Sequence, residues 1–369
     1  MTTGGFGLDN LPFGVFSRKG EEPRVGVRFE DSVLEIERAP ALNSLMARGP
    51  AAWADARGRA RDALSRGDAE LIPLDEVTLH LPFEVADYVD FYSSLEHATN
   101  LGRLFRPDSE PLLPNWRWLP VGYHGRAGTV VVSGTPIVRP SGQSKTADAE
   151  APIYGPSRRL DIELELGFVI GTPSRLGEPV ALEEALEHVF GVVLVNDWSA
   201  RDIQAWEYQP LGPFLGKSFA TSISAWVTPL EALEPFRVPR PEQEPEPLDY
   251  LRSEPCAYDI ALEVELNGET VSRTSARNLY WSIEQQVAHA TVNGASLRTG
   301  DLLATGTISG SEPASQGSLM ELSSNGAEPL GLSDGSERAF LEDGDEVVLR
   351  GRAGDVELGE VRGSIVPSP

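Results

Sequence analysis

The sequence predicts a mostly β protein of two domains: a small β-rich N-terminal domain over residues 1–82 and a larger, mostly β domain over residues 83–369. Three observations support this prediction. The chain has 369 residues, and a single core seldom grows beyond about 250–300 residues. Short segments of strand-like alternation recur along the chain, and helical periodicity is rare. The pattern also changes after Pro82, where a run of strand-like segments begins.

The N-terminal domain is predicted to start with strands. Residues 12–37 alternate at the strand period, with turns at Lys19-Gly20 and Glu30-Asp31. An amphipathic helix is predicted from about Ala41 to Ala63.

The larger domain is predicted to contain many short strands and few helices. The strand-like segments include Thr129–Val132, Ile162–Ile170, Val192–Asn196, Ile260–Leu266 and Glu346–Arg350. Helical patterns occur at Leu182–Val189, from about Ser199, and at Ser282–Thr291, which ends at Asn293-Gly294 as a C-cap would. The stretch Pro229–Pro255 holds seven prolines and many acids, which predicts an extended, exposed loop.

Composition and charge exclude several classes of function. Hydrophobic residues at 40% and charged residues at 24% are typical of a globular chain. A net charge of −25 argues against nucleic acid or an anionic membrane as partner. With neither a long apolar run nor a signal-like start, we expect a cytoplasmic protein that does not enter a membrane. The single cysteine, Cys256, cannot form an internal disulfide and argues against structural zinc.

Two acids alternate with apolar residues in LDIELELGFVI at 160–170. At the strand period, Glu163 and Glu165 share one face of the strand. An antiparallel strand with one solvated side has the same pattern, so the motif becomes informative only beside other carboxylates.

A second group lies in NDWSARDIQAWEY at 196–208. If this segment is helical, Asp197, Arg201, Gln204 and Tyr208 lie on one face. An acid, a guanidinium, an amide and a phenol together are unusual for a core. The alternative is an ordinary exposed helix face with an Asp–Arg pair.

A third group lies in DYVDFYSSLEHATNLGRLFR at 87–106, where Asp90, Tyr92, His97 and Arg106 stand close together. An imidazole with a pKa of about 6.5 suits a general base near neutral pH. A structural histidine, hydrogen-bonded in the core, is the alternative.

Four carboxylates from separate segments, Asp90, Glu163, Glu165 and Asp197, would repel one another unless a cation lies among them. Ligands that are all oxygen select a hard ion. The sequence has no paired-histidine zinc motif, so magnesium, calcium or manganese fits better than zinc.

Three further residues or turns stand out. Lys217, one of only three lysines, lies in LGPFLGKSF, whose glycine spacing does not match a phosphate-binding loop. Its ammonium could stabilise negative charge on a substrate oxygen. Residues 301–310 read as a strand ending in the turn around Gly306 and Thr307, whose N–H groups could bind a carboxylate; a plain turn is the alternative. Glu321, in an apolar strand-like segment, would need a partner to be buried.

Together these motifs resemble the fumarylacetoacetate hydrolase family. The matching segments, in the family's order, are DFYSSLEHATN, LLPNWRWLPVGYHGR, LDIELELGF, VLVNDWSARDIQAWEYQPLGPFLGKSF, LLATGTISG and LMELS. The resemblance runs from residue 11 to the end of the chain and departs at Leu95-Glu96 and in the acidic proline loop at 239–247. It implies a small SH3-like N-terminal barrel, a larger mixed β-sandwich roll, and a homodimer.

The resemblance also implies roles for individual residues. The metal ligands would be Asp90, Glu163, Glu165 and Asp197, with Lys217 and Thr221 at positions that the family places beside the metal. His97 would activate water, oriented by Glu321, and the oxyanion and leaving-group pocket would consist of Arg201, Gln204 and Lys217. The substrate would be held by Tyr92, Arg106, Tyr123, Tyr208, Gly306 and Thr307, together with Arg201 and Gln204.

The activity implied by the resemblance is hydrolysis of the carbon–carbon bond of fumarylacetoacetate, with Mg²⁺ or Ca²⁺, to fumarate and acetoacetate. This would be the last step of tyrosine and phenylalanine breakdown. One alternative is an acylpyruvate hydrolase or decarboxylase of the same superfamily that acts on another diketo acid. A second alternative, of a different class, is a binding protein in which calcium only stabilises a loop.

Overall fold

The computed structural model describes residues 5–252, 254 and 256–369. Strands dominate the larger domain, and a smaller β-rich unit precedes it, which confirms the predicted fold class. None of the helices in the described part of the chain is long and apolar enough to cross a membrane. The domain boundary at residues 82 and 83 stays a prediction.

The N-terminal segment is a small antiparallel sheet with two helices on the connection between its third and fourth strands. Its elements are β1 (Phe13–Arg18), β2 (Arg24–Phe29), β3 (Ser32–Glu37), α1 (Asn43–Met46), α2 (Pro50–Arg66), β4 (Leu71–Pro73) and β5 (Val77–His80). The strand order is β5-β1-β2-β3-β4, and β4 does not pair with β5, so the described strands do not close into the SH3-like barrel that the resemblance implied. The predicted helix at 41–63 is divided in two, because Gly49 has a φ of 83° and Pro50 starts a new helix.

The described residues of the larger domain form 21 further strands. The first part has β6 (Tyr88–Phe91), β7 (Gly122–His124), β8 (Val130–Val132), β9 (Ile137–Val138), β10 (Ser141–Ser144), β11 (Ile153–Pro156), β12 (Leu160–Asp161), β13 (Leu164–Ile170), β14 (Val189–Asp197), β15 (Ser199–Ala200) and β16 (Thr221–Ile223). The second part has β17 (Trp226–Pro229), β18 (Arg237–Val238), β19 (Ala257–Tyr258), β20 (Ala261–Leu266), β21 (Glu269–Ser275), β22 (Leu302–Ala304), β23 (Leu330–Gly331), β24 (Glu337–Arg338), β25 (Glu346–Ala353) and β26 (Val356–Val366).

The helices of this domain are short. They are α3 (Leu95–Phe105), α4 (Arg201–Glu207), α5 (Leu230–Leu233), α6 (Ile283–Thr291) and α7 (Leu319–Leu322). The prediction for α6 is confirmed: Ser282 and Gln285 form a capping box at its start. The segment predicted as helical at 182–189 is a 3₁₀ helix, Leu182–His188.

One large sheet connects the two domains. Among the described residues it has 13 strands, with β4-β3-β2-β1-β17-β14-β13-β22-β6-β7 as its main order and with β5, β8 and β16 attached at the side. The N-terminal sheet therefore continues into the larger domain through the pair β1 and β17. A second sheet, β21-β20-β25-β26-β9, packs against the first.

The central strands β13 and β14 are buried on both faces. Leu166, Phe168 and Leu194 on one face join the core shared with the second sheet. Val169 and Val195 on the opposite face join a core that includes the N-terminal strands. The alternative reading of 160–170, a strand with one solvated side, is therefore wrong, and any carboxylate on these strands must be compensated.

The prediction of an exposed loop at 229–255 is only partly right. The segment contains α5, β18 and two 3₁₀ helices, and both Gln243 and Leu251 are buried. Gln243 donates to the carbonyl of Tyr280 at 2.6 Å and exchanges hydrogen bonds with Gln285. Its proline-rich composition did not reveal these anchors. Ser253 and Pro255 lie outside the described residues.

Candidate active site

Strand pairing brings the predicted carboxylates to one face of the large sheet. Glu165 and Val169 lie on the same face of β13, because side chains alternate along a strand. Asp197, the last residue of β14, shares this face with Val195. Glu163 lies one residue before β13, at the same period.

Two neighbouring strand pairs complete the group. Asp90 on β6 pairs with Tyr123 on β7, and Asp197 pairs with Thr221 on β16. The hydroxyl of Thr221 donates to Oδ1 of Asp197 at 2.8 Å, and that of Tyr123 donates to Oδ2 at 3.1 Å. The four carboxylates Asp90, Glu163, Glu165 and Asp197 each offer an oxygen within 4.8 Å of the others, and all four are buried.

Part of this acidic cluster has no partner in the protein. Both carboxylate oxygens of Glu165 and Oδ1 of Asp90 are buried without a hydrogen bond to any described residue. Burial raises the pKa of both groups well above the usual range, and neighbouring carboxylates, led by Asp197 for Asp90, raise it further. The cluster lacks positive charge on this side.

The other side of the cluster is balanced by Lys217. Its buried ammonium donates to Glu163, to Oδ2 of Asp197 at 2.6 Å and to Ser199 at 3.0 Å, which uses all three N–H groups. Burial alone would lower the pKa of Lys217, but Asp197 and Glu163 outweigh burial and raise it. A charged ammonium has no lone pair for a metal, so Lys217 can only lie beside an ion.

Arg201, the first residue of α4, gives the second buried cation. Its guanidinium is 2.7 Å from Oε1 of Glu163, donates to Asp161 at 2.8 Å and reaches Gln204 at 3.4 Å. For Glu163, burial would raise the pKa, but Lys217, then Arg201, then His97 oppose it and hold the pKa at about 2. The charge of Glu163 is therefore stabilised by the buried cations of the protein itself.

His97 lies in the first turn of α3, whose N-cap is Ser94. Its Nδ1 is 2.6 Å from Oε2 of Glu321, and both side chains are buried. Burial would raise the pKa of Glu321, but His97, Asn100 and Ser318 lower it. Because an ionised carboxylate only accepts hydrogen bonds, Nδ1 carries a proton, and in a neutral imidazole Nε2 is then the nitrogen that can accept one.

Glu321 lies in the helix α7, and the prediction of a strand there is wrong. All the partners that its burial demands are present. Asn100 donates to Oε1 at 2.9 Å, and Ser309 and Ser318 donate to Oε2 at 3.0 Å and 2.8 Å. The imidazole is thus fixed by a carboxylate that is itself fixed.

The remaining predicted site residues differ in their surroundings. Tyr92 contacts His97 edge to face, with ring centroids 5.3 Å apart. Arg106 donates to the carbonyl of Pro111 at 2.7 Å, and its buried Nε has no hydrogen-bond partner in the described part of the chain. Gly306 has a φ of 76°, and a Cβ there would lie 2.2 Å from the carbonyl oxygen of Phe91. The neighbouring Thr307 has a buried hydroxyl without a partner among the described residues.

The proposed helix face through Asp197, Arg201, Gln204 and Tyr208 is not what the structure has. Asp197 ends a strand, and α4 begins only at Arg201, so the first two residues meet through Glu163 and not along a helix. Tyr208 is 47% exposed, and its hydroxyl accepts from Gln209 at 3.0 Å. Its role in binding substrate stays a prediction.

Sequence reasoning missed several supporting residues. Asp161, which holds Arg201, stands two residues before Glu163 in the same alternating run, so the period was a usable signal. Asn100 follows His97 by three residues, one helical turn, which was a second signal. Ser309 carried no signal, because nothing local to it points to Glu321.

These residues fit a hard divalent cation. The cluster is made of carboxylate oxygens, the ligands preferred by such ions, and three of those oxygens have no hydrogen-bond partner within the described ranges. The buried acidic cluster can therefore hold a metal ion.

Comparison with known proteins identifies relatives along almost the whole chain. The family described as fumarylacetoacetate (FAA) hydrolase C-terminal matches residues 87–366, and the one described as fumarylacetoacetase N-terminal matches residues 9–39. Proteins named fumarylacetoacetase from Rattus norvegicus and Homo sapiens are each 48% identical over 98% of this chain and 96% of their own length. That from Arabidopsis thaliana is 44% identical over 99% of this chain and 96% of its own length.

Solved structures share the fold at lower identity. A fumarylacetoacetate hydrolase from Exiguobacterium antarcticum has a TM-score of 0.61 at 19% identity, covering 97% of this chain and 99% of that one. A maleylpyruvate hydrolase from Sphingobium has a TM-score of 0.58 at 18% identity, covering 97% of this chain and 100% of the other. Because the family model matches residues 87–366 and a relative is 48% identical over 98% of the chain, the chain belongs to the fumarylacetoacetate hydrolase family.

Proposed function

We propose that this chain hydrolyses the carbon–carbon bond of fumarylacetoacetate to give fumarate and acetoacetate, the last step of tyrosine and phenylalanine breakdown. The proposed substrate is based on the near full-length similarity to proteins named fumarylacetoacetase. The observation that carries the chemistry is the buried His97–Glu321 pair beside the four-carboxylate cluster.

The ion we propose for the cluster is Mg²⁺ or Ca²⁺, held by Asp90, Glu163, Glu165 and Asp197. When bound, it would act as a Lewis acid on the carbonyl oxygens of the diketone. Thr221 and Tyr123 would keep Asp197 in place, since their hydroxyls already donate to it.

His97 is the proposed general base. Its Nε2 accepts a proton from water, the resulting hydroxide oxygen forms a bond to the carbonyl carbon next to the fumaryl group, and the π electron pair of that carbonyl moves onto its oxygen. Glu321 stabilises the imidazolium that forms, because Nδ1 already donates to it. The nearby Tyr92 packs against the imidazole and limits its rotation.

Next the carbonyl re-forms as the bond between the attacked carbon and the acetoacetate fragment breaks, and the electron pair of that bond leaves with the fragment. A carbanion is a poor leaving group, so its charge must spread into an enolate. The cationic groups of Lys217 and Arg201, with the amide of Gln204, would stabilise that charge. A proton from the His97 imidazolium then completes acetoacetate and restores the base.

The test is loss of the diketone absorbance after fumarylacetoacetate is added, with and without divalent ion. We expect turnover with Mg²⁺ or Ca²⁺ and none after exhaustive chelation. An acylpyruvate serves as the control substrate. Faster turnover of the acylpyruvate would replace the proposed substrate, and full activity after chelation would remove the ion from the mechanism.

The assembly and location expected from the sequence, a homodimer in the cytoplasm, stay predictions. Sedimentation of the purified chain tests the first.

A further inference from the structure

Asp161 is a fully buried carboxylate that the proposed mechanism does not use. Its relative exposure is 0%. Oδ1 accepts the backbone N–H groups of Ile162 at 2.8 Å and Leu319 at 2.7 Å. Oδ2 accepts Nε of Arg201 at 2.8 Å and the N–H of Met320 at 3.2 Å. Each oxygen thus has two donors, and no acceptor capacity is spare for a substrate.

Three of these donors belong to two separate helices of the site, α4 and α7, which we call its two arms. Arg201 lies on α4 and reaches Glu163 in the acidic cluster with its other nitrogen. The two amides begin α7, the short helix that carries Glu321. A helix of 4 residues has little stability of its own, so its placement depends on such tertiary contacts.

We propose that Asp161 is a positioning residue that locks Arg201 and α7 to each other, so that leaving-group stabilisation and the base keep one mutual geometry. This inference deepens the proposed function and rests on it for the effect on turnover. The physical link itself, from Asp161 to the backbone of 319–322, does not depend on the reaction.

Asp161→Asn isolates the proposed role. The variant has the same shape, but one oxygen becomes an NH₂ group, which only donates. Whichever side that group takes, it meets two donors: Ile162 and Leu319 on one side, or Arg201 and Met320 on the other. In either orientation one of the two bonds to the α7 amides is lost, and in the second orientation the bond to Arg201 is lost as well.

Asp345→Asn is a matched control. Asp345 is 3% exposed and accepts Arg338 Nε at 2.9 Å and the N–H of Glu342 at 2.7 Å, again a buried aspartate between an arginine and a backbone amide. It touches none of the proposed site residues. Its loss should lower the melting temperature and leave kcat unchanged.

For Asp161→Asn we expect kcat on fumarylacetoacetate to fall about 10- to 100-fold, as for outer partners of active-site groups, with KM nearly unchanged. Amide hydrogen exchange in 319–322 should accelerate at least about tenfold. A kcat matching that of Asp345→Asn, or unchanged exchange in 319–322, would overturn the inference.

Two outcomes must be kept separate. If the wild-type chain does not hydrolyse fumarylacetoacetate, the proposed function fails, and the exchange measurement still decides whether Asp161 holds α7. If Asp161→Asn does not fold, Arg201→Gln tests the lock from the other arm. Exchange in 319–322 must then rise, and its persistence at the wild-type rate would refute the link.

Discussion

Two buried glutamates in the same site are treated in opposite ways. Glu321 has four side-chain donors, from His97, Asn100, Ser309 and Ser318, and its pKa is lowered despite burial. Glu165 has no partner on either oxygen among the described residues, and burial raises its pKa well above the usual range.

The difference separates two uses of a buried charge. A buried polar group without a partner is destabilising, so such groups persist where something else supplies the partner. Glu321 is complete within the protein and serves to orient His97. Glu165 is incomplete within the protein, which is expected of a ligand for a cation that arrives from outside.

The largest expected effect concerns His97, which Glu321 holds in place. His97→Ala should lower kcat by about 10²- to 10⁴-fold, the range for loss of a general base, because Nε2 is the proposed proton acceptor. His188→Ala is the control, since His188 is bonded to the carbonyl of Thr172 outside the site. Steady-state kinetics on fumarylacetoacetate measures both. A near-normal kcat for His97→Ala would reduce its pair with Glu321 to a structural contact.

The next prediction compares the two glutamates directly. Glu165→Gln should lower the affinity for Mg²⁺ or Ca²⁺ by more than about 10- to 100-fold. That range is the loss seen when a residue that only supports a metal ligand is mutated. Glu321→Gln should leave ion affinity unchanged and lower kcat, because Glu321 contacts His97 and not the cluster. Isothermal titration calorimetry gives the affinities. Equal loss of ion affinity in both variants would contradict the assignment of Glu165 as an ion ligand and of Glu321 as a partner of His97 alone.

The pH dependence of stability sharpens the same contrast. A raised pKa means that the folded state of the ion-free protein binds a proton that the unfolded state releases above about pH 4. The free energy of unfolding therefore falls as pH rises from there through the raised pKa of Glu165. Glu165→Gln removes this dependence, so its melting temperature relative to wild type should increase with pH. Calorimetry without ion measures it.

Added Mg²⁺ should abolish or reverse this increase with pH, because the ion favours the ionised carboxylate of Glu165 and stabilises the wild type more than the variant. A melting-temperature gap that stays constant with pH would mean that Glu165 keeps its ordinary pKa in the fold.

The sequence predicted which carboxylates converge better than it predicted the strands and helices that carry them. Asp90, Glu163, Glu165 and Asp197 do meet, as the resemblance implied. The helical face proposed for Asp197 is wrong because local spacing cannot show where a strand ends and a helix begins. Strand pairing, a long-range property, sets Asp197 opposite Thr221.

The fold shows the same division. The period of β13 was visible, but burial of both faces was not, since the second sheet and the N-terminal strands that cover it lie far away in sequence. The buried anchors Gln243 and Leu251 escaped notice in a proline-rich stretch because each depends on one distant contact.

The smallest expected effect concerns a single donor to Glu321. Ser318 caps α7 and also donates to Oε2 at 2.8 Å. Ser318→Ala should lower the free energy of unfolding by about 1 kcal/mol, as loss of an N-cap does. It should lower kcat by less than about tenfold, which is 1.36 kcal/mol, because His97 and Ser309 still bond that oxygen.

Ser282→Ala is the matched control for this variant, because Ser282 caps α6 and has no contact with Glu321. Both variants should lose similar stability in urea titrations, and only Ser318→Ala should show a lower kcat. If the two variants turn over equally fast, the donors around Glu321 contribute to folding alone. The hydrogen bond between His97 and Glu321 would then be sufficient to orient the imidazole, and the other donors to Glu321 would have no effect on catalysis.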